Sequence, residues 1–176
     1  TREVDVVILC TGYLHHFPFI ENDLRLVTKN RLYPSQLYKG IFWLGNPNFM
    51  YLGMQDQYYT FNMFDAQAWY ARDVLLNKIE IPEKDIMEKD ISTWQQREEN
   101  LKNPIEEICF QTDYCKDLTE LTDYKIDFDF ISKQFVQWES HKEENIVTYR
   151  DRSFVSPVTS NEAPQHHTPW WEEMDD

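Results

Sequence analysis

The longest uninterrupted apolar run in this chain, Val6–Cys10, stands near its start and leads directly into Thr11 and Gly12. A short apolar run bounded by polar residues is typical of a strand buried on both faces, so the pattern predicts such a strand over residues 4–9. Gly12 gives the backbone freedom to turn sharply at the carboxyl end of that strand. A strand buried on both faces is the kind found within a parallel sheet, so the pattern predicts a piece of an α/β sheet. Such sheets place their ligands at the carboxyl ends of their strands.

Short apolar segments separated by turn residues continue as far as residue 53. They predict brief strands at 24–27, 32–33, 40–44 and 49–53. The clearest turn signal among them is Gly45-Asn46-Pro47-Asn48, because each of these residue types favours turn backbone. This part of the chain is therefore expected to be built from short strands and tight turns.

The apolar period changes to three and four residues from Asn62 onward, which predicts a helix that ends near Asn77. A second, more polar helix is predicted over Glu83–Glu99 and a third over Pro104–Leu121. The inner face of the second helix is predicted to be Ile86, Met87, Ile91 and Trp94.

The last part of the chain has a weaker pattern. Residues 124–128 and 135–138 indicate ordered segments without assigning them to a class of element. The tail from Tyr149 to Trp171 has two prolines close to aromatic residues, and we expect it to pack across the surface of something else, within the protein or outside it.

Composition excludes several classes of function. Hydrophobic residues make up 41% of the chain and aromatic residues 15%, which supplies a real core and excludes a disordered tail. The net charge is −14, with 17 Lys and Arg against 31 Asp and Glu. A charge of that sign disfavours nucleic acid and anionic membrane surfaces as partners, and it fits a soluble protein of the cytoplasm.

No metal site is expected from the residues that bind metals. The three cysteines, Cys10, Cys109 and Cys115, have no CxxC spacing. The pairs His15-His16 and His166-His167 are adjacent in sequence, and neighbouring side chains of an extended segment point in opposite directions. Neither pair is accompanied by the spacing of a known zinc site.

The glycine inventory bears on cofactor binding. The four glycines never form GxGxxG or GxxxxGK, so the chain carries no phosphate-binding loop of its own. The first residue is Thr1 and not Met, so we expect that the chain either lost its start or was recorded without it. No signal peptide and no membrane-spanning apolar run of about 18 residues is visible.

Several blocks of the sequence resemble one family. The element Cys10-Thr11-Gly12-Tyr13 is similar to the "ATGY" element of flavin-containing monooxygenases. The block Phe49–Tyr58 followed by Phe61–Arg72 resembles the last strand and helix of the FAD domain in that family. Tyr149–Phe154 and Ala163–Trp170 resemble its bacterial branch that acts on trimethylamine, so the matching blocks extend over nearly the whole chain.

The resemblance implies an architecture. The fold expected is α/β: the C-terminal part of a flavoprotein with two Rossmann-like dinucleotide-binding domains, followed by a mostly helical extension. Residues 1–13 would form the last strand of the NADPH-binding domain and a linker, residues 14–79 the closing part of the FAD-binding domain, and residues 80–176 the helical extension and tail.

The resemblance also implies a reaction. NADPH would reduce FAD, oxygen would add to give a C4a-hydroperoxyflavin, and a nucleophilic nitrogen or sulfur would take the oxygen, converting trimethylamine to its N-oxide. The complete enzyme would be a homodimer, whereas the 176 residues alone are expected to be inactive. Two alternatives stay open: a related flavoprotein monooxygenase of the Baeyer–Villiger or N-hydroxylating kind, and a non-enzymatic acidic interaction module.

The family pattern assigns roles to residues around one strand-to-helix junction. Gln57 and Thr60 would contact FAD, with the Thr60 hydroxyl capping the helix. Asp56 would order the water or the substrate amine near the flavin, and Tyr58 would line the substrate pocket where the family pattern has tryptophan. The alternatives are a capped helix start without a ligand and a solvated loop acid.

One further role falls in the tail. Arg150 matches a tail arginine that reaches NADP in the family, and a guanidinium suits phosphate and amide oxygens through its fixed geometry. The alternative for Arg150 is a surface ion pair with Asp151 or another acid.

Overall fold

The protein is described here by a computed structural model that covers residues 4–10, 15–28 and 31–165. Helices dominate this part of the chain. Two short strands come first, and four α-helices and a short 3-10 helix at Tyr149–Asp151 follow. The strands and α-helices, in chain order, are β1 Leu37–Tyr38, β2 Phe42–Trp43, α1 Thr60–Leu75, α2 Lys84–Glu99, α3 Pro104–Thr119 and α4 Phe128–Glu144.

The three predicted helices are confirmed as α1, α2 and α3, with every end within two residues of the prediction. The start of α3 has an evident cause, since the Asn103 side chain accepts a hydrogen bond from the Glu106 backbone N–H at 3.0 Å and Pro104 occupies the first turn. Of the unassigned segments, 135–138 lies in the middle of a fourth helix, α4, whereas 124–128 precedes that helix except for Phe128, its first residue. The Asp127 side chain caps it by accepting from the Phe130 N–H at 2.9 Å.

The inner face of α2 is narrower than predicted. Met87, Ile91 and Trp94 are buried, whereas Ile86 is 54% exposed and the prediction for it was wrong. A step of one residue rotates a side chain by about 100° around a helix, so Ile86 lies beside the apolar stripe and not within it.

The sheet is much smaller than the sequence pattern predicts. The strands β1 and β2 pair antiparallel through only two residue pairs, Leu37 with Trp43 and Tyr38 with Phe42, and Met50 adds an isolated bridge to Phe42. Residues 24–27 and 32–33 form no strand. The turn at 45–48 is confirmed, because Asn46 N–H donates to the Trp43 carbonyl at 3.0 Å and Phe49 N–H to the Asn46 carbonyl at 2.9 Å.

The buried strand predicted over residues 4–9 is also wrong for this structure. Val4 is 66% exposed and Ile8 is 81% exposed, and no strand of the described residues pairs with this segment. A strand buried on both faces requires neighbouring strands on either side and layers above and below. The described part of the chain supplies none of these, so it is mostly helical with a small sheet and not an α/β sheet of its own. Thr11–Tyr13, the rest of the strand-ending element, lie outside the described residues.

The third helix occupies the centre of the fold and contacts α1, α2 and α4. Aromatic rings fill much of the core around it: Tyr33 stacks on Trp94 with ring centroids 5.7 Å apart, and Phe110 and Tyr114 contact Trp94 edge-on. A second, smaller cluster lies under the strands and is formed by Leu26, Leu37, Trp43 and Tyr51.

Candidate functional site

All the predicted site residues except Arg150 lie where the chain enters α1. We call residues 56–60 the corner. Asp56 and Thr60 are exposed, Gln57 and Tyr58 are partly buried, and Tyr59 is fully buried. The corner is thus anchored in the core at its fourth residue and open to the surface at both ends.

The backbone at Thr60 is strained. Its φ is +39°, which lies in the region that β-branched residues avoid. Such a conformation costs about 1–3 kcal/mol and persists only where the surroundings enforce it, and functional sites are where it most often occurs. The predicted hydroxyl cap is wrong, however. Tyr59 is the N-cap of α1 and no side chain caps the helix, because Thr60 is already the first helical residue.

Gln57 carries an unused acceptor. Within the described residues its Oε1 is one of three buried side-chain nitrogen or oxygen atoms without a hydrogen-bond partner. Leaving such an atom unpaired costs about 1–3 kcal/mol, so the position favours a ligand that brings a donor. The pyrimidine edge of a flavin presents an N–H of the kind that a carboxamide oxygen accepts. The residue present therefore fits the cofactor that the sequence pattern implies.

Asp56 is held by local contacts at one of its carboxylate oxygens. Its Oδ1 accepts from the Gln57 backbone N–H at 3.0 Å, and its own N–H donates to the Arg31 carbonyl at 2.8 Å. The side chain is exposed. This arrangement places a carboxylate beside Gln57 at the surface of the corner.

The hydroxyl of Tyr58 is directed at α3. It donates to Glu107 Oε2 at 2.9 Å, and the Tyr58 ring meets Phe135 of α4 edge-on at 6.4 Å. Burial raises the pKa of Tyr58 far above its ordinary value, and the Glu107 hydrogen bond and charge raise it further. The phenol therefore stays neutral and donates, so the hydroxyl that distinguishes it from the tryptophan pattern is already used inside the protein.

A buried glutamine on α3, Gln111, forms hydrogen bonds with the backbone of the corner. Gln111 is fully buried, its Nε2 donates to the Asp56 carbonyl, and its Oε1 accepts from the Tyr58 N–H at 2.8 Å. The pattern-based prediction did not include Gln111, although a signal existed. The residue lies three positions after Ile108 and four before Cys115, on the apolar face of the helix, where an uncharged polar residue needs specific partners.

The preceding loop is fixed by α2 in a similar way. Glu98 accepts from the backbone N–H of Leu32 at 3.0 Å and of Tyr33 at 3.3 Å, and it pairs with Arg31 Nε at 3.3 Å. Because the Arg31 carbonyl accepts from Asp56, the carboxylate of Glu98 supports the corner through one intervening residue.

A buried amide and phenol network lies next to the corner. Gln67 accepts from the Gly53 N–H at 2.8 Å and donates to Gln55 Oε1 and to the Tyr114 hydroxyl, both at 2.9 Å. Gly40 is required here, since a Cβ at that residue would lie 2.0 Å from Gln55 Nε2 and its φ is +63°. This network ties the loop before the corner to both α1 and α3.

An apolar cavity of about 220 Å³ opens between α1, α4 and the tail. It is lined by Asn62, Ile131, Gln134, Phe135, Trp138, Phe154 and Pro157. Phe135 also contacts Tyr58 and Tyr59, so the cavity lies directly behind the corner.

Arg150 is not brought to the corner or to this cavity. It is exposed, its guanidinium lies 4.8 Å from the centroid of the Tyr149 ring, and Tyr149 in turn packs edge-on against Trp138 at 5.1 Å. The guanidinium therefore lies at the surface beyond the end of α4.

In the described ranges, no group of three or more His, Cys, Asp and Glu side chains is arranged to hold a metal ion. No helix among them is long and apolar enough to cross a bilayer. The pair His166-His167 lies outside the described residues.

Comparison with known proteins gives a consistent result. The family model described as flavin-binding monooxygenase-like matches residues 1–132. A trimethylamine monooxygenase from Pelagibacter ubique is 61% identical over 176 residues, covering 99% of this chain and 40% of the relative. One from Methylocella silvestris is 56% identical over 174 residues, covering 98% of this chain and 39% of the relative.

A solved structure agrees with these sequences. The crystal structure of Tmm from a Pelagibacter species superposes with a TM-score of 0.91 at 58% identity, covering 98% of this chain and 40% of that chain. The chain thus spans about 40% of the length of the relatives that it matches.

Proposed function

Because this chain belongs to the flavin-binding monooxygenase-like family, we propose that it is the C-terminal part of a FAD- and NADPH-dependent monooxygenase. The substrate would be a nucleophilic amine, with trimethylamine oxidised to trimethylamine N-oxide, or a sulfide. One oxygen atom of O₂ goes to the substrate and the other leaves as water, with NADPH supplying two electrons. A bound flavin supplies the activation of oxygen.

One observation carries this proposal. Relatives named trimethylamine monooxygenase align with nearly the entire chain at identities of 47% to 61%. The unsatisfied Gln57 Oε1 also supports it, because it is a buried acceptor at the place where the family resemblance expects FAD.

The domain assignment is part of the proposal. Residues 1–13 would close an NADPH-binding domain and residues 14–79 a FAD-binding domain, and residues 80–176 would form the helical extension. The exposed segment 4–9 fits this division, because it is apolar on both faces and lacks neighbours within the described residues. In a Rossmann-like sheet it would gain pairing strands and covering helices.

Four residues of the corner, together with Arg150, have proposed tasks. Gln57 Oε1 would accept from the flavin pyrimidine edge, and the start of α1 at Thr60 would place backbone N–H groups and a partial positive charge near it. Asp56 would hold a water molecule or the cationic form of the substrate amine. The ring of Tyr58 would form one wall that keeps water out, and Arg150 would bind a phosphate or amide oxygen of NADP.

The complete gene product tests the proposal. We expect it to carry a flavin absorbance band after purification and to oxidise NADPH faster when trimethylamine is added, with trimethylamine N-oxide detected by mass spectrometry. Conversion of a ketone to an ester, with no oxidation of amine or sulfide, would favour the Baeyer–Villiger alternative. A protein that neither holds FAD nor oxidises NADPH would contradict the proposal.

A further inference from the structure

We propose that Gln111 of α3 is a positioning residue for the flavin-binding amide of Gln57, an inference that rests on the proposed function. Gln111 itself does not line the surface of the corner. It acts from beneath, through the backbone on both sides of Gln57.

The geometry is that of a two-point clamp. Gln111 Nε2 donates to the carbonyl of Asp56, which belongs to the peptide group that precedes Gln57. Gln111 Oε1 accepts at 2.8 Å from the N–H of Tyr58, which belongs to the peptide group that follows Gln57. The planar carboxamide thus imitates a neighbouring β-strand across a single residue. With the peptide on either side fixed, the direction in which the Gln57 side chain leaves the backbone is fixed as well.

Burial commits the carboxamide of Gln111 to its two hydrogen bonds with the corner. Gln111 has no exposed surface, and its neighbours on α3 are core residues, so the carboxamide has no water with which to exchange these two bonds. Both of its polar atoms serve the corner, and neither joins the adjacent network of Gln55, Gln67 and Tyr114. A residue that only filled space at this point would be apolar, like Ile108 one turn earlier.

The clamp is needed because the backbone at the start of α1 is strained. The corner must turn within three residues from Gln57 to a Thr60 whose φ is +39°. Without the hydrogen bonds from Gln111, the segment would relax toward a less strained backbone. The Gln57 side chain would then no longer be held in one orientation. The clamp therefore pre-organises an acceptor that the rest of the described chain leaves unpaired.

The test uses the complete gene product after removal of bound flavin, with FAD titrated back and followed by its fluorescence. Gln111→Met keeps the volume and removes both hydrogen bonds to the backbone. We expect it to weaken FAD binding by up to about tenfold, because the misdirected Gln57 amide loses its one hydrogen bond to the flavin. Gln57→Met should weaken binding by a similar factor. The double variant should bind no more weakly than either single variant, because Gln111 acts only through Gln57. The midpoint potential of the bound flavin should shift in the same direction in both single variants.

Two further variants separate positioning from general stability. Gln67→Met removes an equally buried glutamine that holds Gly53 and not the corner, and it should keep the parental FAD affinity even where it lowers the unfolding midpoint equally. Gln111→Glu offers an acceptor to Tyr58 at every pH but a donor to Asp56 only when protonated. Its FAD affinity should therefore approach that of the parent at low pH and fall as the pH rises, which also tests the clamp if Gln111→Met does not fold.

The outcomes are distinct. Parental FAD affinity in Gln111→Met, a double variant whose losses multiply, or an equal loss in Gln67→Met would each overturn the inference while leaving the proposed function standing. A parent protein that binds no FAD would overturn the proposed function, and this inference with it.

Discussion

The Tyr114 hydroxyl lies 2.9 Å from Gln67 Nε2 and accepts its hydrogen bond, while it donates its own proton to the Lys39 carbonyl at 2.7 Å. One buried oxygen thereby joins α1, α3 and the turn after β1. Gln55 Nε2 contacts the same oxygen at 3.0 Å. The hydroxyl is thus the common point of the network next to the corner.

Tyr114→Phe should lower the stability of the protein by about 1–3 kcal/mol, because it leaves buried amide donors and a carbonyl without a partner. The measurement is the urea midpoint at constant slope. Tyr124→Phe is the matched control, since its hydroxyl meets Asp65 only at 3.4 Å and near the surface, and it should change stability by less than about 0.5 kcal/mol. Equal effects of the two variants would show that the network contributes nothing specific.

Glu98→Ala should increase the local opening of the backbone at the corner, although Glu98 makes no direct hydrogen bond to the corner. The substitution removes the acceptor of the Leu32 and Tyr33 N–H groups, and the adjoining Arg31 carbonyl is the acceptor of Asp56. We expect faster amide hydrogen exchange at Asp56 and a loss of about 1–3 kcal/mol in stability. Glu99→Ala, at the exposed next position, should leave both quantities unchanged. Unaltered exchange at Asp56 in Glu98→Ala would refute the link between α2 and the corner.

Alkaline pH should unfold the protein through its buried phenols. Burial raises the pKa of Tyr59 to about 12 from an ordinary value of 10, partly offset by its hydrogen bonds to Thr112 and Ser132. Because the folded pKa is the higher one, the stabilising contribution of the neutral phenol is complete below pH 10 and is lost as the pH rises through 12.

The check is a pH titration that follows tyrosinate absorbance and circular dichroism together. The phenols whose pKa burial raises include Tyr33, Tyr59, Tyr70 and Tyr114, and their ionisation should coincide with loss of the near-ultraviolet dichroism. Ionisation of these residues near pH 10 in a protein that stays folded would contradict the assignment of the core.

Arg150→Gln should weaken the use of NADPH and spare FAD. If the exposed guanidinium binds an anionic oxygen of the nucleotide, its loss should raise the KM for NADPH about 10- to 100-fold, the range for a hydrogen bond to a charged group. Arg152→Gln is the control, since that side chain pairs with Glu144 at 3.3 Å at the surface. An unchanged KM in Arg150→Gln would remove Arg150 from the nucleotide site.

Three of the four α-helices were predictable and most of the strands were not, for a physical reason. A helix satisfies its backbone within itself, so the apolar period over Met63, Ala66 and Tyr70 was enough to predict α1. A strand satisfies its backbone only with a partner, and the apolar residues at 24–27 and 49–53 pack into clusters beneath turns. The aromatic spacing of α4 was not assigned to a class of element, although Asp127 caps that helix.

The site divides in the same way. Family-like residues in one continuous stretch, Asp56 to Thr60, identify the corner from sequence. The residues that hold it, Glu98 and Gln111, come from helices far along the chain, and their role depends on a tertiary contact that no local pattern encodes. The strain at Thr60 is likewise a property of the folded backbone.

The bare segment from Val4 to Leu9 has a practical consequence for anyone who produces these 176 residues on their own. Its valines, isoleucine and leucine are exposed to solvent, and its peptide groups form no strand-to-strand hydrogen bonds within the described chain. The segment of one molecule can therefore pair with the same segment of a second molecule. We expect such preparations to precipitate by intermolecular strand pairing, and a charged residue substituted for Val7 to keep them dispersed.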